Sequence, residues 1–463
     1  MMKRILALVF TAVLLLTFTG CSEKYYNGDK AVLPFESESD ENKLKDAISS
    51  FTAVLSGSLE QWKSQMPEKS SEEYTEGIEK AYAEWQQISK EHGLFNNYEV
   101  QEVFMYHYLG GARVEYQFPD NTYTGADMLF SASYKLLSVD FFTSAKTAEA
   151  SYTLPEGVTE RTVVVGKGTD FELEGTFTCP EGGTDLPAVL LVHGVGANDR
   201  DESALSTKCF RDIAYGLAKR GIAVLRYDSR LFVKGVECQS VSDLNTLTAD
   251  FLIIDDAVAA AKLLKEQPEV DPARVFIVGH DLGGHVAPRI DLQADFAGFV
   301  LLATPSREWG EVAYDQTMRY GLNGRENEDV KYLKPYIASQ RDQLKNIYNL
   351  TNEVDLTSII FGQYVYYWQD LYRYDYVQMI QDTAKPVMIL HGEADYQIQI
   401  DPDFKGWQEK LAGKENAVLK SYPDVNHMML VVDGPFTDCS LQYYRPLRVP
   451  EEIIDDIAAF IQQ

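Results

Sequence analysis

Three side chains in the C-terminal half of this 463-residue chain could do hydrolytic chemistry together: Asp281, Asp395 and His427. Asp281 stands inside VFIVGHDLGG, residues 275–284, where an apolar β-branched run stops at a glycine and resumes as a helix-like segment through Leu292. Small residues two before and two after the apex permit the sharp strand-to-helix turn that lifts one side chain out of a sheet. A carboxylate at that apex is already an anion near neutral pH, so it needs no base to become a nucleophile. Asp395 and His427 follow in the order acid, then base, each just after an apolar run. In that arrangement Asp395 accepts the Nδ1 proton of His427 and turns Nε2 toward the apex. Glu393 and Asp401 are rival acids, and His391 is read as shaping the turn before Gly392. Two main-chain N–H groups are the candidate oxyanion donors: Leu282, directly after the apex, and Val195, in the loop after His193-Gly194, with Gly196 as its alternative.

These residues need a scaffold that brings them to one place. From residue 158 onward, apolar runs at 188–192, 223–227, 275–278, 299–303, 386–390 and 418–422 alternate with helical patterns at 210–220, 250–265, 284–292 and from 451. Repeated β-α-β units imply a mostly parallel, doubly wound sheet with right-handed crossovers. Ligands on such sheets sit at the carboxyl ends of the strands, where all the candidate residues fall. Runs at 162–165 and 171–178 read as an antiparallel pair at the sheet edge. Residues 305–384 interrupt the alternation and are rich in Tyr and Trp, which reads as a helical lid with an aromatic core.

Ahead of this lies a different rhythm. Helical spacing at 41–65 and 71–90 gives way to strand patterns at 98–108, 112–118, 127–134 and 135–142, so residues 41–143 are expected to form a small α+β domain. It contains no catalytic constellation, and His92 and His107 are read as structural. A polar linker, 143–157, joins the two parts.

The formal net charge of −28 argues against nucleic acid or an anionic membrane surface as partner, since both require clustered Lys and Arg. Lys3 and Arg4, the apolar run 5–16 and the small residues before Cys21 have the form of an export signal covering residues 1–20, too short to span a bilayer comfortably. The polar stretch 21–40 then reads as a tether. The other cysteines, Cys179, Cys209, Cys238 and Cys439, contain no C-x-x-C pair, so no metal site is expected, and one or two disulfides are open.

The segment ending in Thr-Gly-Cys21 resembles a bacterial lipobox, with Phe18 where that motif prefers leucine. The likeness implies cleavage before Cys21 and a lipid on its sulfur. Residues 160–463 resemble bacterial α/β-hydrolases of the dienelactone hydrolase and serine aminopeptidase groups, many of them esterases. The likeness is carried by LLVHGVGANDRDES (190–203), GIAVLRYDSR (221–230), the elbow with HVAPRI (285–290), LHGEADYQI (390–398) and YPDVNH (422–427). It implies an α/β-hydrolase fold, hydrolysis of a small-molecule ester and no cofactor. The domain at 41–143 resembles one found ahead of hydrolases in Gram-positive lipoproteins, which implies a Gram-positive source and a protein lipid-anchored at the outer face of the cell membrane.

The departure from that lineage is Asp281, where its members carry serine. Attack by a carboxylate on an ester carbonyl gives an uphill anhydride, whereas attack at a saturated carbon gives an ordinary ester that water can hydrolyse. Epoxide hydrolases and haloalkane dehalogenases of the fold use such an aspartate. The former usually carry H-G-x-P, here His193-Gly194-Val195-Gly196, and the latter usually carry Trp after the aspartate, here Leu282. Three readings stay open: a covalent aspartate enzyme, ester hydrolysis with His427 and Asp395 activating water, and a non-catalytic binding protein.

Overall fold

The computed structural model describes residues 32–33, 35, 37–106, 109–144, 146, 153–205, 207–235, 247–321, 328–348, 358–434, 442–443 and 445–463. The export signal with Cys21, and His107, Cys238 and Cys439, lie outside the described residues. The chain divides into two units, one built largely from residues 29–153 and the other from 154–432 and 447–463.

In the first unit, β1 (Val32–Leu33) joins the meander β2 (Asn97–Tyr106), β3 (Leu109–Gln117), β4 (Tyr123–Phe130) and β5 (Leu136–Thr143) in one antiparallel sheet, in sequence order. Helices α1 (Glu38–Val54), α2 (Leu59–Lys63) and α3 (Glu72–His92) precede the meander. The single helix expected over 41–65 is two, because Ser58 caps a new start: its hydroxyl accepts from Gln61 N–H while the Gln61 side chain reaches back to Ser58 N–H. Alternation along the strands sends Ala112, Val114, Tyr116, Ala126 and Met128 into a core with Phe51, Trp62 and Trp85. The intervening residues Arg113 and Asp127 pair on the other face of the sheet at 2.7 Å.

Onto that pair comes a segment from far along the chain. Within the stretch 158–463 that the sequence reading gives to the hydrolase domain, the described residues 433–434, 442–443 and 445–446 cluster with this first unit. Arg445, almost fully buried, pairs with Asp127, Asp140 and Asp433 and lies over the Phe142 ring. A single guanidinium shared among three carboxylates satisfies the charge that the sheet face would otherwise bury alone. His92 bonds Asp120 and Thr122 within the same unit.

The second unit is built on an eight-stranded sheet. Its strands are β6 (Val158–Val165), β7 (Leu173–Pro180), β8 (Leu186–Val192), β9 (Ala223–Tyr227), β10 (Val270–His280), β11 (Phe299–Leu302), β12 (Val387–Gly392) and β13 (Ala417–Tyr422). Their spatial order is β13-β12-β11-β10-β8-β9-β7-β6, parallel except for the antiparallel β6-β7 and β7-β9 pairs. Crossover helices α4 (Cys209–Lys219), α5 (Asp255–Lys265) and α6 (Leu282–Ala294) link β8, β9, β10 and β11. The central strands read as continuous apolar runs because helices cover both faces of such a sheet. This is the α/β-hydrolase fold, with a separate antiparallel-sheet domain before it.

The insertion between β11 and β12 contains helices α7 (Trp309–Gln316), α8 (Glu328–Tyr348), α9 (Val365–Leu371) and α10 (Tyr376–Asp382). Trp309, Tyr367, Trp368 and Tyr376 are buried, so these four rings serve as packing. Arg289 of α6 fixes α9 by pairing with Asp370 at 2.9 Å, and Arg319 donates to the carbonyls of Tyr396 and Gln397 at 2.9 Å. Among the described residues no helix is long and apolar enough to cross a membrane. Cys179 and Cys209 are free and buried.

Candidate active site

The turn after β10 is as sharp as its sequence requires. Asp281 has φ 53° and ψ −117°, a conformation that costs a non-glycine residue about 1–3 kcal/mol and that the surrounding structure has to impose. Two glycines allow it by close approach. A Cβ on Gly279 would come within 2.5 Å of Gly284 N, and one on Gly283 within 2.4 Å of the Val192 carbonyl oxygen. The turn is locked by Asp281 N–H donating to the Leu302 carbonyl at 2.9 Å and by His285 N–H donating to the Asp281 carbonyl at 3.0 Å. Leu282 opens α6, where main-chain N–H groups have no partner inside the helix.

The structure brings Asp281, His427, Asp395 and Val195 together. His427 Nδ1 lies 2.8 Å from Asp395 Oδ2, and its Nε2 faces Asp281 Oδ1 at 3.9 Å. Asp281 Oδ2 accepts from Val195 N–H at 3.2 Å, while Oδ1 is buried and has no hydrogen-bond partner. All three titratable side chains are buried.

Each is held from behind. Asp395 Oδ1 accepts from the N–H groups of Gln397 at 2.7 Å and Ile398 at 2.8 Å. Burial alone would raise its pKa, but the adjacent His427 imidazole and these N–H donors hold it below the usual carboxylate range. His391 donates to the Ile398 carbonyl at 2.8 Å, shaping the acid loop. The rival acids point elsewhere, Glu393 to the Ser421 hydroxyl and Asp401 to Lys405. His427 sits in a tight loop after β13, closed by a Val425–Val431 bridge and by Asn426 N–H donating to the Leu430 carbonyl.

Three contributors were not singled out by sequence reading. Asn198 donates to the carbonyls of Gly194 at 3.0 Å and Val195 at 3.3 Å, which fixes the loop whose N–H reaches Asp281. His280, just before the apex, contacts Glu202 Oε1 through Nδ1 at 2.9 Å and the His427 carbonyl through Nε2 at 2.9 Å. Glu202 Oε1 also accepts from Gly194 N–H at 2.7 Å. The only prior signal was the presence of His280 and Glu202 inside the two motifs, 78 residues apart. In the lid, Tyr367 is buried; burial foremost, then the neighbouring Tyr376 and Asp281, push its phenol well above the usual range. Among the described residues no group of three His, Cys, Asp or Glu is placed to hold a metal ion.

What such an arrangement can do is limited by Oδ2. One oxygen of the carboxylate occupies a donor suited to a developing oxyanion, leaving the other free and facing a base. The geometry thus leaves one oxygen of the Asp281 carboxylate free while the other is held by a main-chain donor.

Residues 189–437 match the model of the alpha/beta hydrolase family. The chain is 34% identical over 327 residues to Esterase EstD of Thermotoga maritima, covering 69% of this chain and 72% of that one. It is 31% identical over 189 residues to an uncharacterized protein of Mycobacterium tuberculosis, covering 40% of this chain and 60% of that one. Among solved structures, an esterase of Pyrococcus furiosus aligns with a TM-score of 0.41 at 17% identity, covering 66% of this chain and 90% of that one.

Proposed function

Because the chain belongs to the alpha/beta hydrolase family and is an esterase-like hydrolase, we propose that it cleaves a small-molecule ester or similar bond with Asp281 as nucleophile, His427 as base and Asp395 as its acid partner. The observation that carries this reading is the split role of the Asp281 carboxylate: Oδ2 on the Val195 N–H, Oδ1 unpartnered and 3.9 Å from His427 Nε2.

The chemistry follows from that split. Oδ1 attacks the saturated carbon of an ester alkyl group; the new Oδ1–C bond forms as the C–O bond breaks and the carboxylate leaves with the electron pair. In the resulting aspartyl ester the carbonyl oxygen is Oδ2, resting on Val195 N–H. His427 then takes a proton from water, hydroxide adds to the aspartyl carbon, and negative charge builds on Oδ2 where the donor waits. Collapse breaks the bond to Oδ1 and the alcohol leaves with the proton from His427. Asp281 is regenerated with one oxygen from water.

Direct attack by water on the acyl carbon, the second reading, is supported by the esterase relative. It requires the substrate oxyanion to displace Oδ2 from Val195 N–H, and that displacement weighs against it. The test is trapping: in His427→Gln the first step proceeds and the second stalls, so the Asp281 peptide gains the mass of the substrate's alkyl group. An unmodified peptide after exposure to cleaved substrate removes the covalent step.

Export and anchoring form a separate part of the proposal, resting on residues 1–21 alone. Metabolic labelling with a fatty-acid analogue should mark the wild type and not Cys21→Ala, with the variant released from the membrane. Equal labelling of both would remove the anchor.

A further inference from the structure

We propose that His280, paired with Glu202, is a positioning residue for the reaction assigned above, holding the His427 loop, the elbow and the loop at Gly194 in one arrangement. The inference rests on the hydrolytic reading of the site, but one arm of its test needs no turnover.

His280 Nδ1 meets the carboxylate of Glu202 at 2.9 Å and Nε2 meets the carbonyl of His427 at 2.9 Å. Both partners are acceptors, and a neutral imidazole has one N–H, so a neutral ring would leave one contact unmade. Only the doubly protonated ring satisfies both. The surroundings agree: burial opposes the cation, but Glu202 foremost and then Asp281 raise the His280 pKa to about 9. Glu202 in turn is held ionised, burial being outweighed by His280 and the Gly194 N–H. The other titratable groups at this spot are the His427 ring, 4.6 Å away between centroids, the Cys209 thiol against Glu202, and His193, whose charge Glu202 also feels.

The pair joins three segments that meet only through the fold. His280 precedes the apex, Glu202 and Gly194 belong to the loop that carries Val195, and the His427 carbonyl belongs to the base itself. A buried ion pair far from solvent is weak evidence of stability but a strong constraint on geometry. Here the constraint falls on the separation between Asp281 Oδ1 and His427 Nε2, where an error of about 1 Å costs on the order of 100-fold in rate.

The experiment uses the full chain with His280→Gln and Glu202→Gln, each checked for folding by circular dichroism and thermal melting. In the first arm, proton NMR follows the downfield Nδ1–H resonance of His427 in its bond to Asp395. A shifted or lost resonance in either folded variant supports the proposal, and an unchanged resonance in both overturns it. In the second arm, the rate of ester cleavage is followed against pH. The wild type should lose kcat as pH rises through about 9, and Glu202→Gln, which removes the charge that keeps the ring cationic, should move that loss down by more than about one pH unit. His280→Gln should lower kcat on the order of 100-fold with KM nearly unchanged. A loss at the same pH in Glu202→Gln overturns the proposal. A wild type inert toward every ester overturns the hydrolytic reading instead, and the NMR arm then decides the positioning role alone.

Discussion

Asp281 Oδ2 sits on the main-chain N–H of Val195 at 3.2 Å, so the proposed nucleophile and the candidate oxyanion donor are hydrogen-bonded to each other. In a serine hydrolase that donor would be left for the substrate. Replacing Asp281 by Ser should therefore free a contact of a kind that contributes about 100-fold to acyl transfer. Asp281→Ser is expected to hydrolyse short nitrophenyl esters faster than the wild type does. A folded variant with no gain in an ester assay would count against the assignment of Val195 as an oxyanion donor.

Asp395 fixes which nitrogen of His427 carries the proton. Asp395→Asn offers an N–H or a weaker acceptor to Nδ1, so the tautomer that leaves Nε2 free to accept a proton from water is disfavoured. The expected loss is on the order of 10³-fold to 10⁴-fold in kcat, with KM little changed. Steady-state kinetics at fixed pH check this, and a loss under about tenfold would remove Asp395 from its role.

His280 couples the site to folding stability. Its pKa is about 9 in the folded chain, raised from an ordinary value of about 6.5. A group raised on folding stabilises fully below its unfolded pKa and loses that contribution as pH climbs through the folded one. The wild type should therefore lose on the order of 3 kcal/mol, relative to His280→Gln, between pH 6 and pH 10. Urea unfolding at those two pH values measures the difference, and equal pH dependence in both proteins would contradict the cationic ring.

Arg445 makes a prediction for the first unit. Its guanidinium serves Asp127, Asp140 and Asp433 at once, and Asp127 is buried. Arg445→Met removes that charge and leaves Asp127 to Arg113 alone. The expected destabilisation is roughly 3 kcal/mol, read by chemical unfolding with the tryptophans as probe. No change would mean that Arg445 adds nothing to the unit that holds it.

How much of this was legible in the sequence depends on how local each signal is. The elbow is readable because Gly279, Asp281, Gly283 and Gly284 are neighbours and the turn's steric demand falls on them alone. The sheet is readable because buried parallel strands are unbroken apolar runs, and Asp395 and His427 follow two of them. By contrast, the break between α1 and α2 turns on one capping box at Ser58 and Gln61, which helical spacing on either side conceals. The attachment of Arg445 to the first unit is invisible to periodicity, because it pairs with Asp127 across more than three hundred positions. His280 and Glu202 were in view as parts of motifs, but their pairing exists only once β8 and β10 lie side by side. Long-range polar contacts carry no local pattern, and this site is completed by them.

The central claim is that an oxygen of Asp281, not of water, makes the first bond to the substrate. Its most direct test is a single turnover, enzyme in excess over ester, in water enriched in oxygen-18, followed by mass measurement of the peptide containing Asp281. This peptide should become heavier by the mass difference of one oxygen isotope while both products leave with ordinary oxygen. An unlabelled peptide together with heavy oxygen in the released acid would contradict it.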